Sequence, residues 1–229
     1  QHPVYQVHYE DGDKLIFSPG DVKFADLDGD GYITPGSGTN GDPGDQTVIG
    51  NSTPRYEYSF RIGLDYKGFD FSVYCQGIGK RKIWGSGQLA IPGYYAKEGA
   101  IPKTFAIDYW TESRTDAFYP RAWDLGGNDT GFAMQRQSKY LLNMAYLRVK
   151  NISLGYTFPQ LWLSKVKLTK ARVYMSLENF ITFDNLRGLP IDPEAISGYS
   201  MFSKSYNHSR TGTGTPMFKS LSCGLQLSF

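Results

Sequence analysis

Met217-Phe218-Lys219-Ser220-Leu221-Ser222-Cys223-Gly224-Leu225-Gln226-Leu227-Ser228-Phe229 closes the chain, and its reading decides the fold. Taken two by two, Met217, Lys219, Leu221, Cys223, Leu225, Leu227 and Phe229 share one face. Phe218, Ser220, Ser222, Gly224, Gln226 and Ser228 share the other. Alternation of period two marks a β-strand, because successive side chains point to opposite sides. An apolar row backed by small and polar residues is the pattern of a transmembrane barrel strand, with lipid on one side and water on the other. A soluble sandwich alternates in the same way, so the remaining sequence has to separate the two.

Upstream, the same pattern recurs as a hairpin from Arg55 to Gly79. Tyr56, Tyr58, Phe60, Ile62, Leu64 and Tyr66 oppose Glu57, Ser59, Arg61, Gly63, Asp65 and Lys67. After a tight Lys67-Gly68 turn the phase resumes as Phe69, Phe71, Val73 and Cys75. Tyrosines near both ends with aliphatics between them match aromatic girdles at two interfaces around a mid-depth belt. Arg61 and Asp65 then face a wet lumen. A third strand is expected over Tyr140 to Phe158, with Ile152, Leu154, Tyr156 and Phe158 in phase and Leu147 and Val149 out of it. Either a bulge near Asn151 restores the phase, or the upper half stands clear of lipid and packs inward. The second reading is preferred, because Arg148 and Lys150 would otherwise face hydrocarbon. A fourth strand is expected over Ala171 to Phe183, with Val173, Met175 and Leu177 outward. Short turns alternate with long connections, Gly79 to Lys139 and Asp184 to Pro216, as extracellular loops of outer-membrane barrels do.

Composition agrees with an all-β chain. The 229 residues include 26 Gly, 17 Tyr and 14 Phe, the turn formers and aromatics of antiparallel sheets. A formal charge of +2 points to neither nucleic acid nor an acidic partner. Mean hydropathy of −0.40 excludes a helical membrane protein but not a barrel, whose strands show lipid at every second residue only. No run of about 18 apolar residues exists to form a membrane helix. Gln1-His2-Pro3-Val4 carries neither a basic n-region nor an apolar h-region, so no signal peptide is expected there. Cys75 and Cys223 both fall on apolar phases and are expected to be free thiols.

Asp26-Leu27-Asp28-Gly29-Asp30-Gly31-Tyr32-Ile33 places carboxylates at positions one, three and five and glycine at six. That is the front half of a calcium loop, in which alternate side chains converge on one hard cation. Tyr32 would offer its backbone carbonyl and Ile33 would anchor the loop in a small core. Position twelve is Ser37 rather than an acid. The next closing carboxylate is Asp45, beyond an insertion-like stretch from Pro35 to Gly44. The expected set is therefore Asp26, Asp28, Asp30, Tyr32 and Asp45 around a structural Ca²⁺, against the plainer alternative of a polar turn without an ion.

Catalytic signatures are missing. His2, His8 and His208 lack ligand spacing, Ser164 and Lys167 make a chance SxxK match, and Gly85-Ser86-Gly87 has no strand-to-helix context for phosphate. No enzyme is expected. Loop aromatics Trp84, Tyr94, Tyr95, Trp110 and Trp123 suit sugar stacking, but long ordered loops need such side chains as packing anchors, and that role is preferred.

Several further stretches form a distinctive set in chain order. They are Asp21-Val22-Lys23-Phe24 before the Asp-rich loop, Asp45-Gln46-Thr47-Val48-Ile49-Gly50-Asn51, and Tyr109-Trp110-Thr111-Glu112 with Phe118-Tyr119-Pro120-Arg121. Tyr146-Leu147-Arg148-Val149-Lys150-Asn151-Ile152-Ser153-Leu154-Gly155-Tyr156 follows, then Arg172-Val173-Tyr174 with Glu178-Asn179-Phe180 and the terminal strand. Together these stretches resemble the SusC/RagA-type TonB-dependent outer-membrane transporters, and the resemblance implies an antiparallel transmembrane β-barrel segment, the last five strands of a barrel of about 22. Residues 1–54 would be an extracellular loop region with the calcium-type loop, and 55–229 the carboxy-terminal strands and loops. It also implies import of oligosaccharides or peptides across the bacterial outer membrane. The expected partners are a SusD/RagB-type surface lipoprotein acting as a lid, TonB, outer-membrane lipid, and the remaining barrel and plug, supplied as a further chain. In the family the loop closes on the acid before Thr-Val-Ile-Gly, here Asp45, without the insertion. A secreted calcium-bound β-sandwich for adhesion or glycan binding is the competing reading, and a passive porin the third. A sandwich would bury Phe60, Ile62 and Leu64 in protein; a barrel presents them to lipid.

Overall fold

The computed structural model describes residues 6–7, 19–84, 103–122, 136–194 and 217–229. Five long strands form one antiparallel sheet in the order β3-β4-β7-β8-β9. They are β3 (Tyr56–Tyr66), β4 (Phe69–Gly79), β7 (Tyr146–Thr157), β8 (Lys170–Asp184) and β9 (Ser220–Ser228). Among the described residues two short ladders accompany it: β1 (Gln6–Val7) pairs with β2 (Tyr32–Ile33), and β5 (Lys82–Ile83) pairs with β6 (Leu142–Asn143). Among the described residues two one-turn helices, α1 (Lys103–Ala106) and α2 (Gln160–Leu163), lie in the connections.

Register carries the apolar row across the whole sheet. Leu64 opposes Phe71, Phe71 opposes Leu154, Leu154 opposes Met175, and Met175 opposes Cys223. A slip of one residue anywhere would throw that strand's apolar set onto the polar face. Among the described residues no second layer covers the row: Leu64 is 64% and Leu225 60% exposed. The competing sandwich fails on this point, since it needs these side chains sealed against another sheet. Strand length fits a membrane too. The 11 residues of β3 span about 36 Å at ~3.3 Å each, and the usual barrel tilt reduces that to the height of an apolar band about 25 Å tall.

The β3–β4 hairpin turns on Lys67 and Gly68, at φ 46° and 89°. Two positive φ values in a two-residue loop match the twist of the flanking strands, so the glycine is required. A Cβ there would also meet the Thr157 carbonyl oxygen at 2.8 Å.

The preferred reading of the third strand is overturned. β7 begins at Tyr146, and its register shifts between Val149 and Asn151 against both neighbours. Lys150 is the extra residue of a β-bulge. Downstream of it Ile152, Leu154 and Tyr156 face outward; upstream Leu147 and Val149 regain that face, opposite Gly77 and Cys75. The bulge keeps hydrophobes on one side while turning Arg148 to the other, so the upper strand does not pack its aliphatics inward. Tyr140 to Met144 leaves the sheet because Leu142–Asn143 pairs with β5 instead. Cys75 is buried, Cys223 is exposed, and both are free. Three strand spacings, about 14 Å, separate their strands, beyond disulfide reach.

Candidate functional site

The described loops gather above the sheet into a cap with two small cores. Ile83, Leu142, Met144, Leu186, Leu189 and Ile191 form one. Phe105, Tyr119 and Tyr140 form the other, with Val22, Trp84, Tyr109 and Phe118 against it. Tyr140 donates its hydroxyl to the Phe118 carbonyl at 3.0 Å, and burial pushes its ionisation well above the ordinary phenol value. Asp21, its side chain 3% exposed, takes two bonds from Arg121, at 2.8 and 3.2 Å, pinning the stretch before the Asp-rich loop to the cap. Trp84 packs on the second core, and Trp110 lies against Gly20, where an added Cβ would meet its ring at 2.4 Å. Those two aromatics are packing anchors, as their sequence context suggested. Tyr94, Tyr95, Trp123, Gly85-Ser86-Gly87 and the three histidines lie outside the described residues.

In the Asp-rich loop, carboxylate oxygens of Asp26, Asp28 and Asp45 converge within 4.8 Å of one another. Backbone amides hold them there. Asp26 accepts from Gly29 at 2.5 Å and Gly31 at 3.0 Å; Asp45 accepts from Leu27 at 2.6 Å and Thr34 at 2.8 Å. The Asp45 amide in turn donates to the Thr34 carbonyl at 2.9 Å, so the chain leaves at Thr34 and returns beside it. The insertion from Pro35 to Gly44 is a self-contained excursion, stitched by Ser37 to Asp42 at 3.2 Å and by Asp42 to Thr39 at 3.2 Å. It therefore does not displace the closing acid. Asp30 stands outside the cluster and accepts from the Tyr32 amide at 2.7 Å, while Ile33 is buried as the loop's anchor. Asp28 accepts from the Asp30 amide, which favours its charged form. Desolvation and repulsion from Asp30, Asp45 and Asp26 outweigh that bond, and the carboxyl sits above its ordinary value. Concentrated negative charge of this kind suits a hard cation bound by oxygen.

Two polar knots lie on the sheet's other face. Near the short turns Arg172 reaches across β7 to Asp70, at 2.9 and 2.5 Å, and also donates to Gln226 at 3.3 Å. Near the cap Arg148 is 4% exposed yet fully engaged. It donates to Thr182 at 2.8 Å, to Asp192 at 2.7 Å and to Glu194. Lys150 bonds Glu194 at 2.7 Å, and the Tyr146 hydroxyl donates to the same carboxylate at 2.8 Å. Burial would raise the Asp192 carboxyl, but Arg148 and the Glu194 and Met217 amides overcome this and hold it below its ordinary value. Both ends of the connection between β8 and β9 thus meet at Asp192. Sequence reading did not find this knot, although Arg148 and Lys150 breaking the strand's phase was its visible trace.

An open antiparallel sheet with a lipid-facing apolar band, a polar inner wall and a cap of long loops is a stretch of outer-membrane β-barrel. Comparison with known proteins adds what the chain is similar to. The chain is 29% identical over 212 residues to TonB-dependent receptor P3 of Formosa agariphila, covering 92% of this chain and 19% of the relative. It is 26% identical over 196 residues to TonB-dependent receptor SusC of Bacteroides thetaiotaomicron, covering 85% and 17%. Among solved structures, the RagAB peptide transporter shares the fold at a TM-score of 0.59 and 22% identity, over 89% of this chain and 20% of that one. No family model matches the chain. The chain is similar to the carboxy-terminal barrel portion of these TonB-dependent outer-membrane receptors and shares its fold with the matching part of the RagAB transporter. It spans about a fifth of the length of the curated relatives it matches. Those relatives are receptors, not enzymes.

Proposed function

We propose that this chain forms wall and loop cap of a TonB-dependent importer that takes up oligosaccharides or peptides together with a SusD/RagB-type surface lipoprotein. The observation that carries the reading is the exposed Phe60–Ile62–Leu64 band on a single sheet whose opposite face is polar. Such a sheet is stable only where hydrocarbon bathes one side and water the other, with its two open edges closed by further strands. Its relatives' names supply TonB, and the RagAB likeness supplies the two-component arrangement. A loop cap tied to the inner wall through Arg148 favours a gated importer over an open porin. The test uses cells carrying the intact transporter and labelled peptides or oligosaccharides. Uptake of one class should disappear when the proton gradient is collapsed; uptake that persists overturns the energised importer.

The same reading includes a structural Ca²⁺. Asp26, Asp28 and Asp45 would hold it, and its chemistry there is neutralisation of three converging carboxylates. Their oxygen-only donor set and mutual approach within 4.8 Å support this ion over a softer metal. Calorimetry on the intact transporter should register one calcium per Asp-rich loop; no heat at millimolar calcium removes the assignment.

A further inference from the structure

At the short-turn end of the sheet, the connection between β7 and β8 carries a surface that spanning the bilayer does not require. It consists of α2 and the 3-10 turn Ser164–Val166. Leu163 is buried beneath α2, whereas Leu161 and Trp162 are 80% and 61% exposed. These two are not stray hydrophobes. Ring centroids of Phe69 and Tyr156 are 4.5 Å apart, those of Tyr156 and Phe158 5.2 Å, and those of Phe158 and Trp162 6.4 Å. Tyr156 lies on the outward face with Leu154, so the aromatic row runs unbroken from the lipid-facing band onto α2. Lysines stand in the same two turns. Lys165 and Lys167 are exposed in the same connection, and Lys67 is exposed at the neighbouring hairpin tip. The Thr157 amide donates to the Gly68 carbonyl at 2.7 Å, which holds the two turns side by side. Among the described residues none of these three lysines forms an ion pair with a carboxylate.

We propose that this rim docks anionic phospholipid of the periplasmic leaflet, with Trp162 and Leu161 at the headgroup–acyl boundary and Lys67, Lys165 and Lys167 on the phosphates. The proposal rests on the barrel reading and extends it to a named lipid class. Continuity is one argument: an apolar row that begins in hydrocarbon cannot switch to a protein partner without leaving the bilayer plane. Charge is the other, since ammonium groups with no carboxylate partner among the described residues, beside an aromatic girdle, suit lipid phosphate. Indole suits that boundary because its ring is apolar while its N–H still reaches water or headgroup.

The experiment places the intact transporter in nanodiscs of phosphatidylcholine containing phosphatidylglycerol, with brominated acyl chains as quenchers. The Trp162 signal is the difference between the native protein and Trp162→Phe. Shallow bromines should quench it, while deep bromines quench an indole introduced at mid-belt by Leu154→Trp. Native mass spectrometry of the delipidated protein, titrated with phosphatidylglycerol or phosphatidylethanolamine, should show preferential retention of the former. Lys165→Glu with Lys167→Glu should reduce that preference roughly tenfold. Quenching at position 154 but not at Trp162 places the rim outside the bilayer, against water or a periplasmic protein, and overturns the proposal while leaving the barrel intact. Quenching at neither position overturns the barrel reading itself. Quenching at Trp162 with no change in lipid preference on charge reversal overturns the headgroup assignment.

Discussion

Arg148→Met tests the energetics of the inner-wall knot most directly. The Arg148 side chain is 5% exposed, and those of Asp192 and Glu194 are each 11% exposed. Removing the guanidinium deletes bonds to three partners and leaves two carboxylates with a single ammonium, Lys150. Breaking a buried pair in this way costs about 3–5 kcal/mol, most of it the penalty of uncompensated charge. The strands hold their own register, so the loss should appear as local opening of residues 185–194 rather than unfolding of the wall. At about 1.4 kcal/mol per factor of ten, amide exchange in that segment should accelerate by roughly 10²–10⁴. Hydrogen exchange with mass spectrometry on the intact transporter reads this out, with β4 and β7 as internal standards. Arg148→Lys should fall between, because a point charge cannot bond Thr182, Asp192 and Glu194 from one planar fork. Acid supplies an independent check. Against the cost of burial, Arg148 and the Glu194 and Met217 amides hold the folded Asp192 carboxyl below its ordinary value. Its contribution is therefore present above the unfolded value and is lost as pH falls through the folded one. Protection of 185–194, corrected for intrinsic rates, should be flat near neutrality and fall below about pH 4. An Arg148→Met protein with unchanged exchange there, or with equal acceleration in the strands, refutes the reasoning.

Three further outcomes follow from the same structure. Leu64→Arg puts a charge into the lipid-facing belt and should cost about 2–4 kcal/mol near mid-depth, whereas Arg61→Glu on the polar face should be tolerated; membrane fractionation and heat-modifiability on gels compare them. Gly224→Val should lower the heat-modifiability midpoint, because even a Cβ there meets the Tyr174 ring at 2.2 Å, an overpacking of about 1–3 kcal/mol; an unchanged midpoint contradicts that packing. Asp28→Ala should abolish the calcium heat while leaving assembly intact, and Asp30→Ala should weaken it less, since Asp30 stands outside the cluster. Equal losses would place Asp30 among the ligands.

Much was legible in the chain because a membrane strand is a local object. The alternation of Met217 to Phe229 and of Tyr56 to Cys75 assigns each side chain to one face without any knowledge of neighbours, and the register keeps those faces within the paired strands Tyr56–Tyr66, Phe69–Gly79 and Ser220–Ser228. The Lys67-Gly68 turn was equally plain, since two residues between strands leave few backbone solutions. Where pairing partners matter, sequence reading went astray. Leu147 and Val149 look out of phase until β4 and β8 impose the bulge at Lys150, and the bulge makes sense only once Asp192 and Glu194, more than forty positions away, arrive to receive Arg148 and Lys150. The closing of the Asp-rich loop is a case of the same kind. Residues Asp26, Asp28 and Asp45 announce themselves by type, but whether the insertion kept them apart depended on the Thr34–Asp45 bonds that fold it out of the way. Period and turn chemistry are written in consecutive residues; ion pairs and converging carboxylates come from strands and loops that meet only in space.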